Sequence, residues 1–183
     1  MAAPRIFSLL AIPSLAAPFC VAFAWELGDE TSTVTMYATK QGDWFDGVFH
    51  EFTAAIEFDP ANPSAGSIVG VVQTESIDTG DDQNDNYIFG YLEVEQFPEA
   101  RFQSQSITPT NDGFQATGEL TLKGITKPAV INFTFTVAED DSPSARFWGA
   151  MTIDRFAHDI AADIDTGWAG KDVEVRIDLA LKR

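Results

Sequence analysis

Apolar and polar residues alternate along two neighbouring stretches near the middle of the chain. In the stretches 114–122 and 131–137 every second residue is apolar or glycine, and polar residues such as Glu119 and Asn132 stand between them. A period of two places the apolar set on one face of a β-strand. Gly124 and Pro128 lie between the two stretches and indicate a turn. The pattern therefore predicts two antiparallel strands, each with one apolar face.

The same period recurs along most of the chain. It predicts further strands in the stretches 34–38, 52–58, 68–72, 101–107, 147–153 and 173–181. Residues 80–96 differ, because an acidic opening is followed by Ile88, Tyr91 and Leu92 at the spacing of a short helix or compact crossover. The pattern contains no long amphipathic helix to cover a sheet, so the one-sided strands must face one another. We therefore predict an all-β fold of about eight antiparallel strands, a barrel or a sandwich, with one short helical crossover.

The first 24 residues have the features of an export signal. They carry one positive charge, Arg5, then an apolar middle and a small-x-small end at residues 22–24. Pro13 and Pro18 interrupt the apolar part, which is short for a membrane span. Lipid attachment at Cys20 is disfavoured, because Phe19 precedes it where a small residue is required. We predict a cleaved signal peptide, 1–24, export to an oxidising compartment, and a single domain, 25–183.

Removal of this segment changes both the cysteine content and the charge. The single cysteine leaves with the signal, so the exported chain has no disulfide and depends on a packed core. The whole chain has a net charge of −17, from 28 acidic and 11 basic residues, and loss of Arg5 makes it one unit more negative. Such a field repels nucleic acid and anionic membrane surfaces. We expect no nucleic-acid partner and no stable membrane insertion after cleavage.

Catalytic and metal-binding patterns are weak. A nucleophilic mechanism would need a serine activated by His50 or His158, and neither histidine lies in a catalytic motif. We interpret both as surface histidines, and their wide separation argues against a metal site. The sequence predicts no catalytic residue, metal or cofactor.

One acidic stretch has partial calcium-loop spacing. Asp82, Asn84, Asn86 and Glu93 fall at the first, third, fifth and twelfth places, but Tyr87 stands where the loop's sharp turn requires glycine. The sequence therefore favours a solvated acidic loop over a calcium site.

The interior of the predicted barrel is rich in phenylalanine. The chain has 15 Phe residues, and most of those outside the signal lie on the apolar strand faces. Barrels of about eight strands are either filled by side chains or hold one small ligand. Gly70, Gly118 and Gly149 fall at inward positions, where they leave space or ease strand curvature. The pattern alone leaves both interiors open.

Four stretches resemble the YceI-like family of bacterial periplasmic proteins, which are lipocalin-like polyisoprenoid-binding barrels. They are GVFHEFTAAIEFDP (47–60), ESIDTG (75–80) with YLEVEQFPEARFQSQSI (91–107), GELTLKGITKP (118–128), and TIDRF (152–156) with DVEVRIDLAL (172–181). The resemblance implies an antiparallel barrel around a long apolar cavity for an isoprenoid chain, either a polyprenyl lipid or a ubiquinone-like tail. Together with the signal peptide it implies a periplasmic location, and it implies no catalytic residues. The sequence DDQNDN (81–86) departs from the family by lacking an arginine common in this crossover.

Strand parity selects the side chains expected to line the cavity. The candidates are Phe52, Ile56, Phe58, Ile68, Val72, Phe102, Leu120, Leu122, Ile131, Phe133, Phe135, Phe147, Met151, Val175, Ile177 and Leu179. Two other functions stay open: a hydrolase of lipid-like esters with His158 as the most reachable base, and a filled barrel that binds a partner or acts in stress. The sequence also leaves a homodimer open.

Overall fold

The architecture comes from a computed structural model, which describes residues 24–28, 31–138 and 144–183. The predicted signal peptide lies outside the described residues, except for Ala24. The strands are β1 Ala24–Leu27, β2 Thr33–Lys40, β3 Asp43–Phe49, β4 Phe52–Glu57, β5 Ser67–Gln73, β6 Ile77–Asp78, β7 Glu99–Thr110, β8 Gly113–Leu122, β9 Ile125–Val137, β10 Ser144–Asp154 and β11 Asp172–Lys182. Helix α1, Asp82–Leu92, is the one α-helix in the part of the chain described, and short 3₁₀ turns occupy Pro63–Ala65, Thr74–Ser76 and Arg155–His158.

Eight of these strands form a closed antiparallel barrel. Their order is β1-β4-β5-β7-β8-β9-β10-β11, and β1 closes the ring by pairing with β11. The closing pairs are Glu26 with Lys182 and Leu27 with Leu181. Closure joins the two outermost strands of the ring through β1, so a barrel satisfies the one-sided pattern better than a sandwich. The predicted antiparallel barrel of about eight strands with one helical crossover is confirmed.

The sheet branches at β11, which pairs with two different strands along the same edge. The end of β11 pairs with β1, whereas residues 174–178 pair with β2, which continues into β3 and the two-residue β6. The sequence prediction did not include β3, where Phe45, Gly47 and Phe49 alternate with Trp44, Asp46 and Val48. This three-strand branch broadens the barrel beside β11.

The central pair of strands agrees with the predicted hairpin, but its turn is shorter. Only Lys123 and Gly124 form the turn, both with positive φ, and β9 already begins at Ile125. Pro128 therefore lies within β9, opposite Glu119, and does not belong to the turn.

A β-bulge interrupts the regular alternation in β7. The register with β8 shifts between Ser104 and Ser106, so Phe102 and Ile107 both point inward although they are five residues apart. Gly118 lies opposite the bulge, and a Cβ there would collide with the carbonyl oxygen of Gln103. The glycine therefore permits the close backbone approach that the bulge needs.

One end of the barrel is filled by aromatic rings. Phe58 is 1% exposed and packs edge-on against Phe114, Phe133 and Phe135 at centroid distances of 4.9, 5.3 and 5.0 Å. Trp25 of β1 covers this cluster and donates a hydrogen bond from Nε1 to the Phe58 carbonyl oxygen at 3.0 Å. Rings in these edge-on arrangements add stabilisation to area burial. We call this the closed end.

Among the described residues, no helix has both the length and the apolar character needed to cross a bilayer.

Candidate ligand cavity

The other end of the barrel is hollow. A cavity of about 480 Å³ lies between the inner faces of the strands and helix α1. This volume falls in the range of sites for small organic ligands, and the wall is mostly aliphatic and aromatic, as such sites usually are. Of the described residues on the cavity wall, three are exposed: Thr53 of β4, Tyr87 of α1 and Trp168. We call the opening beside Tyr87 and Trp168, each 47% exposed, the mouth.

Most of the candidate lining residues stand on this wall. They are Phe52, Ile56, Ile68, Val72, Phe102, Leu120, Leu122, Ile131, Phe147, Met151, Val175, Ile177 and Leu179. Their side chains belong to seven different strands of the barrel, which alternate inward and outward with the expected parity. Contact of these side chains with a ligand remains a prediction.

Three candidates lie inside the barrel but away from the cavity. Phe58, Phe133 and Phe135 form the closed end and are absent from the cavity wall. Phe58 follows Ile56 by one inward position, and Phe133 follows Ile131 in the same way. The cavity therefore stops at Ile56 and Ile131, because the next inward side chain on each strand packs against other rings.

The three inward glycines have different roles. Gly70 lies on the cavity wall, and a Cβ there would meet nothing within 4 Å, so its missing side chain is open space. Gly118 serves the bulge in β7. Gly149 is covered by Phe147 and Ile131, whose atoms would lie 2.9 and 3.0 Å from an added Cβ. Only Gly70 enlarges the cavity.

The mouth of the cavity is formed by three segments that are distant in sequence. Lys40, at the end of β2, donates a hydrogen bond from Nζ to Asn84 Oδ1 of α1 at 2.7 Å and lies 5.6 Å from the centre of the Tyr87 ring. The neighbouring Gln41 N–H donates to the Trp168 carbonyl oxygen at 2.7 Å. These contacts bring the β2–β3 turn, helix α1 and the segment 168–170 to one place. The sequence pattern did not indicate these mouth residues.

Helix α1 forms part of the wall with its apolar side. Ile88, Tyr91 and Leu92 face the cavity, and no residue of the helix is fully buried. The helix begins earlier than the apolar spacing indicated, because the Asp81 carboxylate accepts hydrogen bonds from the backbone N–H groups of Gln83 and Asn84. A side-chain N-cap of this kind satisfies donors that the first turn leaves unpaired.

Arg155 holds in place the segment that connects β10 to β11. Its guanidinium is buried, with 3% exposure, and all of its hydrogen bonds in the structure go to backbone carbonyl oxygens. The acceptors are those of Gly170, Ile160, Ala161, Ile164 and Ala169. A guanidinium with its donors used in this way holds a loop in place and is not free to bind a ligand.

An ion pair braces the start of the same segment. The Asp154 carboxylate lies 3.2 Å from Lys171 Nζ and also accepts a hydrogen bond from the Phe156 N–H at 3.0 Å. Desolvation acts to raise the pKa of Asp154, but the hydrogen bonds from Lys171 and the backbone outweigh it, and the pKa is lowered. The carboxylate therefore stays charged beside the loop that Arg155 holds.

Two interpretations from the sequence are corrected by the structure. His158 is buried, with 3% exposure, and its Nδ1 lies 3.1 Å from the Ile125 carbonyl oxygen, so it is not a surface histidine; His50 is exposed, 3.5 Å from Asp78. The acidic stretch is also not a loop, because Asp82, Asn84 and Asn86 lie in the first turns of α1. A helix cannot place these side chains around one calcium ion in the loop geometry.

An antiparallel barrel that is packed at one end and hollow and apolar at the other defines a class of small barrels that can hold an apolar molecule. The sequence matches the YceI-like domain over residues 25–181, and the chain belongs to this family.

Individual relatives also match most of this chain. A UPF0312 protein of Yersinia pestis (strain Pestoides F) is 31% identical over 140 residues, which cover 72% of this chain and 70% of the relative. A UPF0312 protein of Pseudomonas aeruginosa (strain LESB58) is 32% identical over 138 residues, which cover 72% of this chain and 71% of the relative.

Solved structures show the same fold. Burkholderia cenocepacia BcnA superposes with a TM-score of 0.78 and 24% identity, covering 85% of this chain and 99% of that one. A polyisoprenoid binding domain from Saccharophagus degradans, implicated in plant cell wall breakdown, superposes with a TM-score of 0.64 and 14% identity, covering 86% and 97%. At these identities the likeness establishes the fold alone.

Proposed function

We propose that this protein is a periplasmic carrier that encloses the chain of an isoprenoid lipid, such as a polyprenyl lipid or a quinone tail, in its barrel cavity. The observation that carries the proposal is the apolar cavity of about 480 Å³ in a barrel of the YceI-like family. The structural neighbour from Saccharophagus degradans, described as a polyisoprenoid binding domain, supports the same ligand class.

The distribution of apolar and polar residues along the interior suits a long apolar molecule with one end at the surface. The wall is mostly apolar between the closed end and the mouth, with Thr74 and Arg155 as buried polar residues on it, whereas Lys40 and Asn84 stand at the mouth. Burial of apolar surface contributes roughly 25 cal/mol per Å², so a chain needs few polar anchors to bind. A polar head group would remain at the mouth.

The two alternative functions lose support. The hydrolase hypothesis depended on His158 as a reachable base, but His158 is buried against Ile125 and does not stand on the cavity wall. The filled-barrel hypothesis requires a solid interior, whereas only the closed end is filled. The carrier proposal needs no catalytic residue.

The proposal is tested by analysing what the protein holds. Protein purified from the periplasm without detergent is extracted with organic solvent, and the extract is examined by mass spectrometry. We expect an isoprenoid lipid at close to one molecule per protein. Delipidated protein should also take up a fluorescent polyprenol or quinone analogue. Absence of lipid together with absence of uptake would refute the carrier function.

Location is tested separately. Fractionation of cells that express the complete chain should place the processed protein in the periplasm, with Trp25 as its first residue. A variant that lacks residues 1–24 should stay in the cytoplasm. Full-length protein in the membrane fraction would contradict export by a cleaved signal.

A further inference from the structure

We infer that the mouth of the cavity docks on the surface of a lipid bilayer of low charge, through Trp44, Tyr87 and Trp168. The observation is that three residues with exposed aromatic side chains lie near the opening of an apolar cavity, Tyr87 and Trp168 on its wall and Trp44 paired with the wall residue Thr39. Trp44 is 68% exposed, and Tyr87 and Trp168 are each 47% exposed. Large aromatic side chains at such exposure, gathered at one site, mark an interaction surface.

Backbone and side-chain contacts bring the three aromatic residues close to Lys40 in the chain's fold. Trp44, the second residue of β3, pairs with Thr39, the residue before Lys40. The Tyr87 ring lies 5.6 Å from Lys40 Nζ, and the Trp168 carbonyl oxygen is bound by Gln41. Thr39, Tyr87 and Trp168 stand on the cavity wall, so this aromatic rim is continuous with the interior.

The chemistry of the rim fits a bilayer interface. Tryptophan and tyrosine combine an apolar ring with a polar N–H or O–H, and they concentrate where hydrocarbon meets head groups. Lys40 can keep its ammonium among head groups while its methylene groups contact the apolar rim. The same residues would also hold a protein partner. A bilayer fits better, because the opening beside them leads directly to an apolar interior and a bilayer is a source of apolar chains.

The charge of the chain selects the kind of bilayer. The net charge is −17, and Asp43 precedes Trp44 while Asp165 lies near Trp168. This field opposes approach to an anionic surface, so the rim should prefer zwitterionic lipid. Docking does not depend on which lipid the cavity holds. The purpose of docking rests on the proposed function, because a docked mouth would let a lipid chain pass from the bilayer to the cavity without crossing water.

The test measures binding of delipidated protein to vesicles. Co-flotation with phosphatidylcholine vesicles and the blue shift of tryptophan fluorescence report docking. Trp44→Ala removes a rim residue that is not on the cavity wall, and Trp148→Ala is the matched control, because Trp148 is 48% exposed on the outer face of β10. We expect Trp44→Ala to weaken partition at least about fivefold and the control to change it by less than about twofold. Added phosphatidylglycerol should weaken binding.

Several results would overturn the inference that the mouth docks on a bilayer. Equal partition of Trp44→Ala and Trp148→Ala, no binding to vesicles, or stronger binding to anionic vesicles would overturn the inference. A dimer in light scattering that Trp44→Ala dissociates would show that the rim joins two copies, which also overturns it. Uptake of a polyprenol analogue from detergent is measured in parallel: uptake without docking refutes this inference alone, and docking without uptake refutes the carrier function alone.

Discussion

Gly70 shows how a missing side chain shapes the cavity. It lies in β5 between the inward-facing Ala54 of β4 and Phe102 of β7, and nothing would lie within 4 Å of an added Cβ. A larger residue would fit the strand and fill the cavity.

We therefore predict that Gly70→Leu lowers the affinity for an isoprenoid analogue at least about tenfold, which corresponds to roughly 1.4 kcal/mol. Its melting temperature should be unchanged or higher, because leucine loses less backbone freedom than glycine in a strand. Fluorescence titration and thermal melting measure the two effects.

Gly90→Leu is the control for this substitution. Gly90 lies on the exposed side of α1, also with nothing within 4 Å of an added Cβ, and it does not line the cavity. Affinity that falls equally in both variants, or in neither, would show that the open space beside Gly70 is not where the chain binds.

Strand parity in the sequence identifies which side chains point inward, but not how far along the barrel axis each one lies. Phe133 and Ile131 have the same parity in β9, yet Ile131 contacts the cavity and Phe133 packs on Phe147 at 4.7 Å. Depth along the barrel axis depends on strand tilt and on which rings meet from other strands. The alternation of residues along one strand predicts neither the tilt nor these contacts.

Helix α1 is the element that separates the cavity from solvent, and it is fastened at both ends. Lys40 binds Asn84 near its start, and Lys123 lies 2.9 Å from Glu93 just after its end. Lys123 also donates to the Asp159 carbonyl oxygen at 2.8 Å. The helix has no fully buried residue, so these ties contribute to its position.

We predict that the double variant Lys40→Met, Lys123→Gln loosens the helix. Amide hydrogen exchange in residues 82–92 should become at least about fivefold faster, while exchange in β8 and β9 stays unchanged. Release of a bound analogue should also accelerate, because the helix forms part of the wall.

Lys127→Met is the control for charge. Lys127 is exposed on β9 and has no contact with α1 among the interactions that the structure gives. Faster exchange in this single variant would attribute the effect to net charge, and unchanged exchange in the double variant would show that the lysines do not fasten the helix.

In the molecule as a whole, the closed end of the barrel contributes packing that stabilises the fold, and the open end contributes the cavity for binding. The aromatic closed end joins β1, β8 and β9 to Phe58, the residue after β4, through ring contacts, whereas the open end leaves its wall unfilled. Close packing stabilises the fold, and a cavity forgoes those contacts.

We predict that Phe58→Ala lowers the free energy of unfolding by about 3–5 kcal/mol, since it leaves a void among the packed rings. The folded fraction should still bind one analogue molecule per protein. Denaturant unfolding and titration test both parts. Together with Gly70→Leu, which should lose affinity and keep stability, this variant tests the division directly. Loss of binding in folded Phe58→Ala protein would show that the two ends are not independent.

The sequence by itself determined the class of fold, because a period of two without a covering helix requires strands that face one another. It also predicted the central hairpin, most of the inward side chains and the family. Only the tertiary structure decided where the interior is hollow, because the bulge at Ser104 and Ser106 and the ring contacts of Phe58 arise between strands. It alone also assembled the mouth, since Lys40, Tyr87 and Trp168 come from three distant segments that meet only when the barrel has closed.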